Sequence, residues 1–208
     1  MTGKGQLAET PLLDAGARLA VAKLACLRGG RLLFTGVSFD LAASDALILT
    51  GTNGVGKSSL LRLLAGLLPV FSGQVSHNGR LALADEQMAL EPNLPLARAL
   101  GYWADLDGGT ADEVKAALEA FDLAHLADIP VRMLSTGQRR RATLARVHAS
   151  HADIWLLDEP GNGLDTTSLA RLEAAIAQHL AQGGIVLAAS HQPLHIPDAQ
   201  HLVLEAAA

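Results

Sequence analysis

The string GTNGVGKS, Gly51 to Ser58, constrains this chain more than any other feature. It follows Ala46 to Thr50 (ALILT), a short apolar run of the kind that forms a buried parallel strand, and it leads into SSLLRLLAGLL, whose leucines recur at helical spacing. A glycine-rich loop in this setting turns its backbone N–H groups onto phosphate oxygens, and the helix dipole adds positive potential. Gly51, Thr52, Asn53, Gly54, Val55, Gly56 and Ser59 would surround the phosphates, Lys57 would reach the β and γ phosphates, and Ser58 would ligate Mg2+. Leu60, Leu61, Leu63, Leu64, Leu67 and Leu68 occupy much of the helix circumference, which predicts cover on most sides.

The rest of the chain extends this α/β pattern. With 208 residues it suits one domain able to bury roughly 70% of its unfolded surface. Half the residues are apolar but only 3% are aromatic, so Ala and Leu must fill the core. No window reaches the roughly 18 uninterrupted apolar residues of a membrane span. A net charge of −5 argues against a nucleic-acid partner, since phosphate neutralisation needs clustered Lys and Arg. The one cysteine, Cys26, has no partner within the chain, and the N-terminus lacks the apolar region of a secretory signal, so a reducing, cytoplasmic setting is expected.

Residues 1–18 read as a loose N-terminal arm and 19–208 as a single domain. Within that domain, strands are expected from Leu19 to Leu27 and from Leu32 to Leu41, with a separate helical subdomain at about 90–133 punctuated by Pro92, Pro95 and Pro130. A basic helix from Gly137, the apolar run IWLLD, a helix over SLARLEAAIAQHLAQ and the run IVLAAS follow in turn. Strand, helix, strand in this rhythm implies a parallel sheet.

IWLLDEP, Ile154 to Pro160, is an apolar strand ending in two carboxylates. Asp158 would hold Mg2+, and Glu159 beside it would polarise a water for attack on the γ-phosphate, a role worth typically ~10²–10⁴ in rate. LSTGQ, Leu134 to Gln138, stands about 20 residues before that strand, and in isolation it signals only a helix N-cap. Together with Gln87, Asp165 and His191 it completes a set that resembles the ATP-binding subunits of ABC transporters, and the resemblance runs from about Leu19 to Glu205.

That resemblance implies an ABC-type P-loop NTPase fold with a mixed sheet core and a helical subdomain. It also implies a homodimer with shared ATP sites, in which Ser135, Gly137 and Gln138 contact the ATP held by the other subunit. His191 takes the switch-histidine place near the γ-phosphate and Glu159, Gln87 links the metal site to the partner interface, and Asp165 belongs to the loop that crosses between subunits. Two positions depart from the pattern. Thr136 stands where many relatives have glycine, which costs little if its φ is negative. No aromatic occupies the usual adenine-stacking place, and Arg28, in CLRGGRLLF, is the residue at or near it; its guanidinium would stack on the base or lie in solvent.

Within the family the sequence is most similar to the CcmA-type ATPases of cytochrome c maturation, through CLRGGRLLF, GTNGVGKSSLLRLLAGLLP, LSTGQRRRATLARV and GGIVLAASHQP. This implies ATP hydrolysis on the cytoplasmic face of the bacterial inner membrane, coupled to a CcmB-like integral-membrane permease and serving release of a haem-loaded chaperone, with no direct haem contact. An ABC ATPase for another cargo, a lipid or a drug, and a non-hydrolysing nucleotide-binding module are the alternatives. Arg139, Arg140 and Arg141, at a helix start where the dipole disfavours cations, are expected to meet acidic partners or solvent.

Overall fold

The computed structural model describes residues 16–207; most of the expected N-terminal arm lies outside them. Two sheets, each of a single kind, supply the mixture expected from the sequence. The first is antiparallel, with β1 (Arg18–Arg28) between β2 (Arg31–Ala42) and β4 (Ser72–Asn78). The second is parallel throughout, built from β3 (Ala46–Thr50), β5 (Leu81–Ala84), β6 (Ile154–Asp158), β7 (Ile185–Ala189) and β8 (Gln200–Val203) in the order β5-β6-β7-β3-β8. Because β7 lies between β3 and β6, the carboxyl ends of these three strands meet along one edge. In open parallel sheets that edge is where ligands bind.

Strand alternation divides the apolar residues between two cores. Leu47 and Leu49, Ile154 and Leu156, and Ile185, Leu187 and Ala189 face Leu19, Leu24, Phe34 and Leu41 of the antiparallel sheet together with α1 (Lys57–Leu64). Their neighbours Ala46 and Ile48, Trp155 and Leu157, and Val186 and Ala188 face the other way. There they meet α2 (Leu96–Asp107), α3 (Ala111–Ala120), α4 (Thr136–His148) and α5 (Thr166–Ala181). The helical segment around 90–133 therefore shares one continuous core with a face of the parallel sheet, through Leu96, Leu100, Val114, Leu118, Phe121 and Val131.

The leucine helix is shorter than its periodicity suggests. It ends at Leu64, and Gly66, at φ 72°, turns the chain so that the Leu67 N–H bonds the Arg62 carbonyl and the Gly66 N–H bonds that of Leu63. This is a Schellman stop, and glycine takes the left-handed position at little cost. Leu60, Leu61, Leu63 and Leu64 are buried as expected, but Leu67 is 65% exposed because the helical frame no longer carries it to the core.

Candidate nucleotide site

Gly56 opens α1 with φ 116°, and a Cβ there would come within 3.0 Å of the Phe34 ring, so this position needs glycine on both counts. The first turn of α1 has no side-chain cap and no acidic residue, which leaves its positive end facing the loop. Lys57 is 6% exposed; its Nζ donates to the carbonyls of Gly51 (3.0 Å) and Thr52 (3.4 Å) and lies 2.6 Å from His191 Nε2. An ammonium only donates, so at this contact Nε2 is the acceptor and the ring proton sits on Nδ1.

β6 delivers Asp158 to the same edge, two strands from the loop. Burial is the main influence on its carboxyl and pushes it above the usual range, against a hydrogen bond with Ser58 and the charge of Arg62; the neighbouring Glu159 adds to the rise. Its Oδ1 is buried and has no hydrogen-bond partner among the described residues. An orphaned carboxylate oxygen beside a serine hydroxyl is the donor set that a hard divalent cation takes, so these residues fit Mg2+.

Glu159 follows with φ 49°, the left-handed region, which is uncommon for a residue with a long side chain. Its backbone N–H still pairs with the Ala189 carbonyl at 2.8 Å, extending the β6–β7 ladder by one bond. The His191 N–H donates to Glu159 Oε2 at 3.1 Å, and His191 Nε2 lies 3.4 Å from Oε1. The carboxylate is thereby held beside the histidine and close to Lys57.

A cleft of about 590 Å3 unites Asn53, Gly54, Gly56, Lys57, Ser58, Ser59, Glu159 and His191 with Arg28. Glu86 and Asn162 line it too, and sequence reasoning missed both; their only signal was adjacency to Gln87 and to the EPG turn. Gly51, Thr52 and Val55 form the base of the loop. Gln87, Ser135, Gly137, Gln138 and Asp165 do not line this cleft. Ser135 and Gln138 instead form a capping box at the start of α4, with the Ser135 N–H bonding Gln138 Oε1 at 2.8 Å. Asp165 caps α5 by accepting the Ser168 N–H at 2.7 Å, a bond that holds its carboxyl below the usual range. Gly137 faces the Gly163 carbonyl, where a Cβ would sit at 3.5 Å. Thr136 is the first helical residue and is absent from the positive-φ positions, so its departure from glycine costs little.

The three arginines meet the expectation of solvent or acidic partners in part: Arg139 is exposed and Arg141 pairs with Asp122, but Arg140 turns inward to backbone carbonyls. Arg139 Nε donates to the Leu134 carbonyl at 2.8 Å, Arg140 Nη1 to that of Asp85 at 3.2 Å, and Arg141 Nη1 to that of Phe121 at 2.9 Å. Only Arg141 also meets a carboxylate directly, that of Asp122 at 3.3 Å. The helix start lies among carbonyl-bearing ends of neighbouring elements, and the cations bind those.

Arg28 ends β1 with Nη1 3.4 Å from Ser59 Oγ and lines the cleft with Leu33. If it stacks on adenine, Arg28→Ala should weaken ATP binding about 2- to 5-fold more than binding of inorganic triphosphate. Isothermal titration of both ligands measures the difference, and equal losses would remove the assignment.

The family model for ABC transporters matches residues 34–162, from β2 through the EPGN turn. The chain belongs to the ABC transporter family. The "Cytochrome c biogenesis ATP-binding export protein CcmA" of Zymomonas mobilis is 56% identical to it, covering 93% of this chain and 88% of that protein. The protein of the same name from Sphingopyxis alaskensis is 55% identical, covering 89% and 96%. Among solved structures, a bacterial Atm1-family ABC exporter with ATP bound superposes with a TM-score of 0.80 at 22% identity, over 96% of this chain and 39% of that one. A putative ABC transporter ATP-binding protein from Pyrococcus furiosus gives 0.79 at 23%, over 90% and 97%. These two establish the fold alone. As an ABC ATP-binding subunit, the chain binds and hydrolyses ATP, dimerises and works with a membrane permease; none of its described helices is long and apolar enough to cross a membrane.

Proposed function

We propose that this chain is the ATPase subunit of a cytochrome c maturation transporter, acting on a CcmB-like permease at the cytoplasmic face of the bacterial inner membrane and serving release of a haem-loaded chaperone. The observation that carries this reading is identity above half with two proteins named for cytochrome c biogenesis, over nearly the whole chain. An apolar groove of about 450 Å3 supports a membrane partner. Met88, Leu90, Leu94, Tyr102 and Trp103 line it, directly after Gln87, and Tyr102 is 60% exposed.

In this reading the loop N–H groups and Lys57 bind the β and γ phosphates. Lys57 exchanges its carbonyl partners Gly51 and Thr52 for phosphate oxygens; released from Lys57, His191 faces the γ-phosphate with its ring proton shifted to Nε2, where it can donate to a phosphate oxygen. Ser58, Asp158 and Gln87 would hold Mg2+, which neutralises charge on the phosphate oxygens when bound. Glu159 accepts a proton from the attacking water, while His191 keeps that carboxylate in place. Ser135, Gly137 and Gln138, with the N-terminus of α4, close over the γ-phosphate of the opposite subunit.

Purification of the tagged chain from detergent-solubilised membranes tests the assignment. A cytochrome maturation permease should co-purify; a lipid or drug permease in its place would overturn it.

A further inference from the structure

We infer that Arg140 is a positioning residue for ATP hydrolysis, holding the Asp158–Glu159 turn in the conformation that presents the Glu159 carboxylate to the cleft. The inference rests on the reading of Glu159 as the general base. Arg140 Nη2 donates to two successive carbonyls, that of Asp158 at 2.5 Å and that of Glu159, while Nη1 reaches the Asp85 carbonyl at 3.2 Å. One side chain therefore ties the signature helix α4 to the acidic turn after β6 and to the segment that leads from β5 to Gln87.

The double contact is a consequence of backbone geometry. Along an extended strand successive carbonyls point to opposite sides, so one nitrogen cannot bond both. Glu159 at φ 49° breaks that alternation and brings the Asp158 and Glu159 carbonyls to the same side. A left-handed glutamate is a strained conformation that persists only when its surroundings over-determine it. Three restraints surround this one: the Glu159 N–H on the Ala189 carbonyl, the Asn162 N–H on the Glu159 carbonyl at 3.0 Å, and the guanidinium across the two carbonyls. Only the third is a side chain, and it also relieves the mutual repulsion of two converging carbonyl oxygens.

Arg140 does not line the nucleotide cleft, so it acts through Glu159 and not on ATP. Burial pulls its guanidinium below the usual range, and the charges of Asp158, Glu86, Glu159 and Asp85 act against that. A planar guanidinium reaches three carbonyls at once. A lysine ammonium has a single nitrogen and cannot span the same set, so Arg140→Lys is not a conservative change here.

Steady-state ATPase assays of the complex with its membrane partner test the assignment. Arg140→Gln and Arg140→Lys should each lower kcat about 10-fold or more, with Lys the milder, while KM for ATP stays within about 2-fold. In the Glu159→Gln background the further change Arg140→Gln should alter the residual rate less than about 2-fold, because the carboxylate it positions is already gone. The inference is overturned if either single variant turns over within 2-fold of the unaltered complex, if KM rises in proportion to the loss, or if the full loss repeats on top of Glu159→Gln. Should Arg140→Gln fail to fold, Arg140→Lys decides the question alone. A Glu159→Gln complex that hydrolyses normally would remove the base assignment instead, whatever the Arg140 variants do.

Discussion

Glu159→Gln is expected to lower the ATP turnover of the transporter complex at least about 10-fold, within the ~10²–10⁴ range of a lost general base, while MgATP still binds. The substitution keeps the shape of the side chain and removes only its capacity to take a proton. The amide oxygen can still accept the His191 N–H that now reaches Oε2 at 3.1 Å, so His191 should keep its place. The turn itself is held through backbone atoms, by Ala189, Asn162 and Arg140, none of which depends on the carboxylate. Phosphate release measured with the membrane partner present is the assay. A loss smaller than 10-fold would show that the proton goes elsewhere, and the role of Glu159 would reduce to a contact of His191.

The second large effect concerns the proposed sharing of each ATP site between two chains. Ser135→Arg, placed in the Glu159→Gln background, is expected to abolish ATP-dependent dimerisation, read by light scattering with and without MgATP. In the single chain Ser135 is exposed and its hydroxyl accepts the Gln138 N–H at 3.3 Å, leaving the start of α4 open to an anion from outside. No acidic residue stands in that first turn. The long arginine side chain fills the space that a γ-phosphate would take, and this steric block outweighs any attraction of its charge for the anion. Loss of the cap costs about 1 kcal/mol, too little to unfold a domain of this size. Ser135→Ala, which loses the cap but not the space, separates the two contributions and should weaken the dimer far less. A dimer that survives Ser135→Arg would refute the shared-site arrangement.

The loop at Gly51, the carboxylates at Asp158 and Glu159 and the histidine at 191 were all legible as strings, because each lies within a few residues of an apolar strand that periodicity reveals. The N-cap at LSTGQ was legible from its place before a helix, and the structure adds the reciprocal bond from the Ser135 N–H to Gln138 Oε1. Leu67 was misplaced because periodicity records a face and not the turn that ends it; the Gly66 stop carries it out to solvent. Glu86 and Asn162 could not be assigned to the cleft from sequence, as neither motif nor spacing separates them from ordinary surface residues.

The strings for a phosphate loop at Gly51, paired carboxylates at Asp158 and Glu159 and an LSTGQ run before a helix can all be read from covalent neighbours alone. How these pieces meet is set by the packing of the strands and not by any local string. The order β5-β6-β7-β3-β8 sets Lys57 against His191, 134 positions away, and brings the Asp85, Asp158 and Glu159 carbonyls together around Arg140. The physical reason is that local patterns report backbone period and burial, whereas the partner of a long polar side chain depends on which strands lie side by side. A run of three arginines reads as one basic patch, yet each guanidinium binds a different segment, and Arg140 alone reaches the turn that carries Glu159.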